Sequence, residues 1–423
     1  MGTRQPVIFL HIGAMKTGTS FLQQLLATNK ENLANGGYLF PGEDWKEQAR
    51  ATRDLLGIGM QDDKLRRQCA GVWDKLASQM ANHEGKGSIF SMEFLSFADA
   101  RGAASAVESL TSRGAEVHVI LTVRDAIRTL PAQWQTDSRS GGLVSWPEFA
   151  RSARFAKEKR GREPGRSGAR VFQRTQGVPR MLKAWGSAVQ PGHLHVITVP
   201  PSGSDKMLLW ERFAEAVGLD PALCSKPVRR SNTSLGQASA ELMRRINGHL
   251  GQIPITEYRP TLKRHLATQV LAKRSKLEAR AKLDAETLQF AADWNRRARE
   301  AILASGAHLV GDLDDLPVDV PAELTAVAAG SLDDPDDNEI LDAAVTAWDG
   351  LHVLVDKRVR ALRKLHGDNL VLDPAATAPW QPVTSDRWSG AREPVSAAVA
   401  ELTDVIRVAI DLQRKLESAN DDK

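Results

Sequence analysis

The apolar positions of this chain change period along its length, and that change lays out its elements. VIFLHIG at 7–13 is a short apolar run that ends in glycine. From Thr19 the segment TSFLQQLLATNKENLANG places Phe21, Leu22, Leu25, Leu26 and Leu33 at helical spacing. Together they predict a strand, a glycine loop and a helix. Further strands are predicted for SIFSMEFL at 88–95, EVHVILTVRD at 116–125 and HLHVITVPP at 193–201. The run at 116–125 has the near-continuous aliphatic content of a strand buried on both faces. Helical patterns flank the last strand, GVPRMLKAWGSAV before it and MLLWERFAEAVGLD after it, the second stopping at Gly-Leu-Asp-Pro. Strands alternating with helices predict an α/β fold with a parallel sheet flanked by helices.

From Leu235 to about Ala304 the pattern is helical, with a proline-containing interruption at 254–260. The acidic, proline-rich stretch GDLDDLPVDVP at 311–321 marks a boundary, which predicts a main domain over 1–317 and a helical C-terminal extension over 318–423. The extension carries no sustained heptad. It therefore reads as helices packed on the domain, with an oligomerisation element and hence a homo-oligomer as the alternative. There is no internal repeat.

Composition narrows the function classes. Apolar and charged fractions of 42% and 26% belong to a globular chain, and no apolar run approaches membrane-spanning length. The N-terminal apolar run ends in a glycine turn and reads as a first strand rather than a signal peptide. Cys69 and Cys224 lie far apart, and neither has a cysteine or histidine at metal-ligand spacing, which points to a reducing, cytoplasmic compartment and no structural zinc. The formal charge is only +4, but Arg154, Lys157, Lys159, Arg160, Arg162, Arg166 and Arg170 crowd one stretch. Such a run is a solvated face or faces an anion. Lacking interleaved aromatics, it argues against nucleic acid as a partner.

The segment HIGAMKTGTSFLQQLL at 11–26 carries the clearest chemistry. A loop between a buried strand and a helix turns backbone N–H groups inward, and the helix N-terminus adds partial positive charge, so the place suits an oxyanion. Gly13 and Gly18 allow close approach, Lys16 brings charge, and Thr17, Thr19 and Ser20 bring hydroxyls. The bland alternative is a glycine turn with a solvated Lys16. The spacing is not that of an ATP or GTP loop, because Thr19 stands where the lysine belongs.

Instead the segment resembles the 5′-phosphosulfate loop of the sulfotransferases that use 3′-phosphoadenosine 5′-phosphosulfate (PAPS), in particular their carbohydrate-modifying and bacterial branches. Gly13, Lys16, Thr17, Gly18, Thr19, Ser20 and Leu22 match it, and Ala14 and Met15 fill its variable positions. LTVRDAIRTLPAQW at 121–134 resembles the family's 3′-phosphate segment, with Arg124 as the residue that carries over. The family's serine eight residues on is Ala132 here, and Arg124 could instead pair with a carboxylate. A looser match at 227–236 offers Arg229, Arg230 and Ser234 as further 3′-phosphate ligands, or as plain loop residues before a helix capped by Asn232. The likeness runs from residue 7 to about 315.

The resemblance implies a P-loop-like sheet, PAPS as co-substrate, no metal, and transfer of a sulfuryl group to a hydroxyl on a small molecule, carbohydrate or glycolipid. It implies Lys16 as the group that stabilises the transfer and Glu93, at the end of the second predicted strand, as the base. Glu93 as a cap or an ion-pair partner is the competing reading. His11 is the rival base, with His118 and His195 behind it. Phe172 and Trp134 could stack on an acceptor or lie in the core. A nucleotide kinase with a degenerate loop and a non-catalytic nucleotide-binding protein are the alternatives in function.

Overall fold

In a computed structural model the chain forms an α/β protein, described over residues 5–157, 167–205, 207–227, 234–320, 335–367 and 371–421. Its sheet has six strands, β1 (Val7–Gly13), β2 (Tyr38–Leu39), β3 (Gly87–Ser91), β4 (Glu116–Val123), β5 (Leu194–Thr198) and β6 (His308–Val310). They lie in the order β2-β3-β1-β4-β5-β6, and every pairing is parallel. From β1 the chain runs to β2 and β3 on one side, then crosses to β4 on the other. The C-terminal end of β1 is therefore a switch point, where the loops leaving neighbouring strands diverge and open a crevice.

The four strands read from the sequence are present. β2 and β6 are too short to show an alternation and were missed. The run at 88–95 is not strand throughout, because β3 stops at Ser91 and the chain turns through a single helical turn, Glu93–Phe97. The turn has a visible cause. Arg180 donates through Nη1 to the carbonyl of Ala98 at 2.8 Å and through Nη2 to that of Ser96 at 2.6 Å, which draws the chain away from the sheet.

The chain packs as two compact units, one of residues 1–133, 151–232 and 283–330, the other of 134–150, 233–282 and 331–423. Packing thus joins to the C-terminal helices two segments that the sequence reading gave to the first domain. In the first unit, alternate residues of β1 serve opposite faces of the sheet. Ile8, Leu10 and Ile12 pack with Val117, Val119, Leu121 and Trp185, while Phe9 packs with Ile89, Ile120, Ile197 and Trp210. Burying each such side chain contributes about 1.5–3 kcal/mol, so both faces of β1 anchor the loop that follows it.

In the second unit the helices Asp337–His366 and Pro394–Asp421 bury Leu354, Val355, Leu362, Ala409 and Leu412 in a common core. The proline interruption expected at 254–260 is a short helix, Ile255–Tyr258, that widens into a π-helical stretch, Arg259–Val270. No helix among the described residues is long and apolar enough to cross a membrane.

Gly350 lies inside the long helix Asp337–His366, where alanine would ordinarily be better by about 1 kcal/mol. A Cβ there would meet Val270 Cγ2 at 2.5 Å and Cγ1 at 2.6 Å, on a β-branched side chain with little freedom to move. Gly350→Ala is therefore expected to lower the urea midpoint, against the helix-propensity trend. A raised midpoint would show that the contact yields.

Candidate functional site

The site begins where β1 ends. Between Gly13 and the helix Thr19–Thr28 the backbone takes positive φ three times, at Gly13 (96°), Lys16 (63°) and Gly18 (84°). Gly18 is fixed twice over, since a Cβ there would also stand 2.3 Å from Leu209 Cδ2. Lys16 holds a left-handed conformation that costs a non-glycine residue about 1 kcal/mol or more, and the surrounding bonds must offset it.

Those bonds are specific. Three successive loop carbonyls each accept from a protein donor: Ala14 from Thr17 Oγ1 at 2.7 Å, Met15 from Gln176 Nε2 at 2.6 Å, and Lys16 from Arg124 Nη1 at 3.1 Å. In a trans peptide the carbonyl of one residue and the N–H of the next point in opposite directions. The carbonyls of 14, 15 and 16 are thus engaged by the protein itself, and the N–H groups of Met15, Lys16 and Thr17 each point away from the bonded carbonyl before them. The helix behind the loop starts at Gly18, which has no side chain to cap it. A loop of this kind at a helix start suits an anion.

Beneath the loop lies a buried chain of polar groups. Thr17 Oγ1 is 2.6 Å from Thr122 Oγ1, Thr122 Oγ1 is 3.2 Å from His11 Nε2, and His11 Nδ1 is 2.7 Å from Ser91 Oγ. Proton counting gives it one direction. The Ala14 carbonyl can only accept, so the Thr17 proton goes there and Thr17 accepts from Thr122. Thr122 in turn accepts from His11 Nε2–H, and His11 Nδ1 accepts from Ser91. His11 is thus a neutral imidazole, and burial pushes its pKa down to about 3. It is a structural residue of the core and no general base. Thr17, expected to offer its hydroxyl to a ligand, donates it to the Ala14 carbonyl of the loop. Thr19 is buried and Ser20 half-buried at the start of the helix.

Glu93 comes within touching distance of the loop. A Cβ on Gly13 would lie 3.1 Å from the Cα and Cβ of Glu93, so glycine is what lets the two segments meet. Glu93 Oε2 accepts from Gln23 Nε2 at 2.8 Å, and the same amide donates to the Ser91 carbonyl at 3.1 Å. Among the described residues no cation forms an ion pair with Glu93, so the ion-pair reading does not describe it. It is half-buried at the head of the turn that Arg180 secures.

Arg124 sits at the end of β4. Burial, and then the neighbouring charge of Arg128, lower its pKa below the usual guanidinium range, and its Nε is buried without a hydrogen-bond partner. Among the described residues no carboxylate pairs with it. Asp125 is occupied instead, accepting from Asn295 Nδ2 at 2.8 Å and from the Ile127 amide at 2.9 Å. Ala132 is half-buried on the following helix, and the hydroxyl of Thr129 there donates to the Ala126 carbonyl.

Other expected residues fall away from the loop or outside description. Arg229 and Arg230 lie outside the described residues, as do Lys159, Arg160, Arg162 and Arg166 of the basic run. Ser234 is exposed, belongs to the second unit, and precedes a helix capped by Gly236. Arg154 pairs with Asp284 and Glu286. Phe172 is fully buried against Phe290 and Trp294, and Trp134 is fully buried against Trp146, so both are core. His118 and His195 stand at the far, N-terminal end of the sheet, with pKa values lowered by burial, that of His195 to about 4.

Gln23, Gln176, Thr122 and Arg180 were not singled out from the sequence, yet they hold the loop and Glu93 in place. Only Gln23 left a trace there, as a polar residue on the apolar side of FLQQLL.

His11 makes stability depend on pH with a definite sign. The unfolded imidazole takes up a proton below about 6.5 and the folded one only near 3. The folded state is therefore favoured fully above 6.5 and loses up to about 1.4 kcal/mol per pH unit as the pH falls towards 3. Urea titrations of wild type and His11→Gln between pH 7.5 and 4.5 should show the steeper loss in wild type. Parallel slopes would mean that His11 is protonated in the folded state. Compared with protein-family models, with curated proteins and with solved structures, the chain gives no match.

Proposed function

We propose that this chain is a sulfotransferase that binds PAPS at the loop 13–20 and passes its sulfuryl group to a hydroxyl of a small molecule or carbohydrate. The observation that carries the reading is that protein donors take the Ala14, Met15 and Lys16 carbonyls in succession, so that the amide after each points away from its bonded carbonyl at the start of a helix. Nucleotide loops in general share that property. What favours PAPS is Arg124, whose buried, unpartnered Nε sits on a guanidinium already touching the loop. A 3′-phosphate would satisfy that donor, and ATP has only a hydroxyl there. The spacing of Lys16 before Gly18 favours the same ligand.

PAPS, when bound, supplies an activated sulfuryl group on a phosphate leaving group. Everything else falls to the chain. The amides of Met15, Lys16 and Thr17 and the start of the helix Thr19–Thr28 hold anionic oxygens. Lys16 brings its ammonium to the charge that builds on departure. Glu93 takes the acceptor's proton at Oε1, because Oε2 already accepts from Gln23. Gln23 and Arg180 orient that carboxylate, the first by direct contact and the second through the turn. Beside the turn, Leu56, Phe97, Asp99, Arg101 and Arg174 line a cavity of about 400 Å³ with room for an acceptor. The Arg174 guanidinium lies 4.1 Å over the Phe97 ring.

Thermal melting with adenosine 3′,5′-bisphosphate, against ATP with magnesium, tests the donor. The bisphosphate should raise the melting temperature, ATP should not, and Arg124→Ala should lose the shift. Stabilisation by ATP alone would replace this reading with a kinase. In transfer assays with PAPS across hydroxyl acceptors, Glu93→Gln should keep the bisphosphate shift and lose roughly 10²–10⁴ in kcat. A bisphosphate shift with no transfer to any acceptor would make the chain a binding protein.

A further inference from the structure

At the opposite end of the sheet from the loop, the strands begin among imidazoles. Glu116 and His118 stand two apart on β4 and so share a face of the sheet. The chain enters β5 through His193, and His195, within β5, pairs in register with Ile120 and with His308 of β6. His118 Nε2 lies 2.8 Å from Glu116 Oε1, and His193 Nε2 lies 3.7 Å from the same oxygen. One donor atom from each of these three residues lies within 4.8 Å of the others. The far nitrogen of His118, Nδ1, is 3.0 Å from His195 Nε2. Glu116 and His193 also line a cavity of about 330 Å³ shared with Thr111, Val117 and Val189, so solvent and ions reach them.

Nothing in the transfer chemistry uses this cluster. It stands at the start of β4, while Arg124 follows its end, about 25 Å along the strand at roughly 3.3 Å per residue. Neither does packing require it, since a stack of imidazoles around a carboxylate is a costly way to begin two strands that are aliphatic further on. The arrangement does meet the requirements of a metal site. Two imidazoles and a carboxylate form a donor set suited to zinc. Bonds of about 2.0 Å in tetrahedral geometry place ligand atoms about 3.3 Å apart, between the two spacings observed here. A ligating histidine normally donates a hydrogen bond from its outer nitrogen, and His195 Nε2 stands 3.0 Å from His118 Nδ1 to accept it. The low cysteine count excludes thiolate sites and leaves this one open.

We propose that Glu116, His118 and His193 form a binding site for a zinc-class divalent cation, with His195 holding the ring of His118 and water from the adjoining cavity completing the coordination. Bound there, the cation would tie the start of β4 to the start of β5 and stabilise the sheet without entering the reaction at its other end.

The test uses the full chain without a histidine tag, stripped with EDTA and dialysed. Calorimetric titration with zinc should show one equivalent bound, and cobalt in its place should give visible absorption bands of a nitrogen and oxygen site. His193→Ala and Glu116→Gln should each weaken zinc binding at least tenfold, and zinc should raise the melting temperature of wild type but not of these two variants. His308→Ala, outside the ligand set, should bind as wild type does. Absence of saturable binding by wild type would overturn the proposal, as would binding that survives both ligand substitutions. His193 is only partly buried and precedes its strand, so its loss is tolerable. If His193→Ala nevertheless fails to fold, the near-isosteric Glu116→Gln decides the matter alone.

Discussion

A one-way chain of buried hydrogen bonds, from Ser91 through His11, Thr122 and Thr17 to the Ala14 carbonyl, is the constraint on which the site depends. It links β3, β1 and β4 at their C-terminal ends and delivers its last proton to the loop. Each member has one donor role and one acceptor role, so the order leaves no choice of tautomer at His11. Left unmatched at this depth, any one of these groups would cost about 1–3 kcal/mol, which makes a reversed or broken chain a poor competitor. Gln176 and Arg124 complete the same task by taking the next two carbonyls. The course of the loop thus follows from satisfying carbonyls, and a left-handed Lys16 persists because three donors agree on where the loop must turn.

Much of the fold was legible in the sequence because its signals are local. β1, β4 and β5 announced themselves as short aliphatic runs closed by glycine, charge or proline, and the helix after the loop followed from Phe21, Leu22, Leu25 and Leu26. β3 was read too long because Met92, Phe94 and Leu95 are apolar and extend the run. What ends the strand is Arg180, far along the chain. The loop between β1 and that helix was legible as well, since its glycines interrupt both apolar patterns. Its supports were not. Gln176 and Thr122 are ordinary residues in a one-dimensional reading, and His11 looked like a possible base until its two partners came into view.

The roles of the hydroxyls divide in a way that spacing alone could not indicate. Thr17 and Ser20 are equivalent in the motif, but Thr17 turns under the sheet and Ser20 stays partly open at the helix start. Glu93 likewise gains meaning from Gly13. The first glycine of the loop is needed for the turn that carries the carboxylate, since a Cβ there would press on Glu93.

The way the chain distributes itself between its two units bears on how the protein is made. The second unit begins with 134–150, continues with 233–282, and is completed by 331–423. A nascent chain leaving the ribosome therefore presents the opening pieces of that unit long before the helices that bury them. The first unit, whose last segment ends at Gly330, has all its strands available earlier. Folding in the order of synthesis would set the sheet and its loop first and leave the helix Gln237–Leu250 waiting for the helices Asp337–His366 and Pro394–Asp421 that pack against it. Loss of those two helices would uncover an apolar face in the middle of the chain, far from the missing segment.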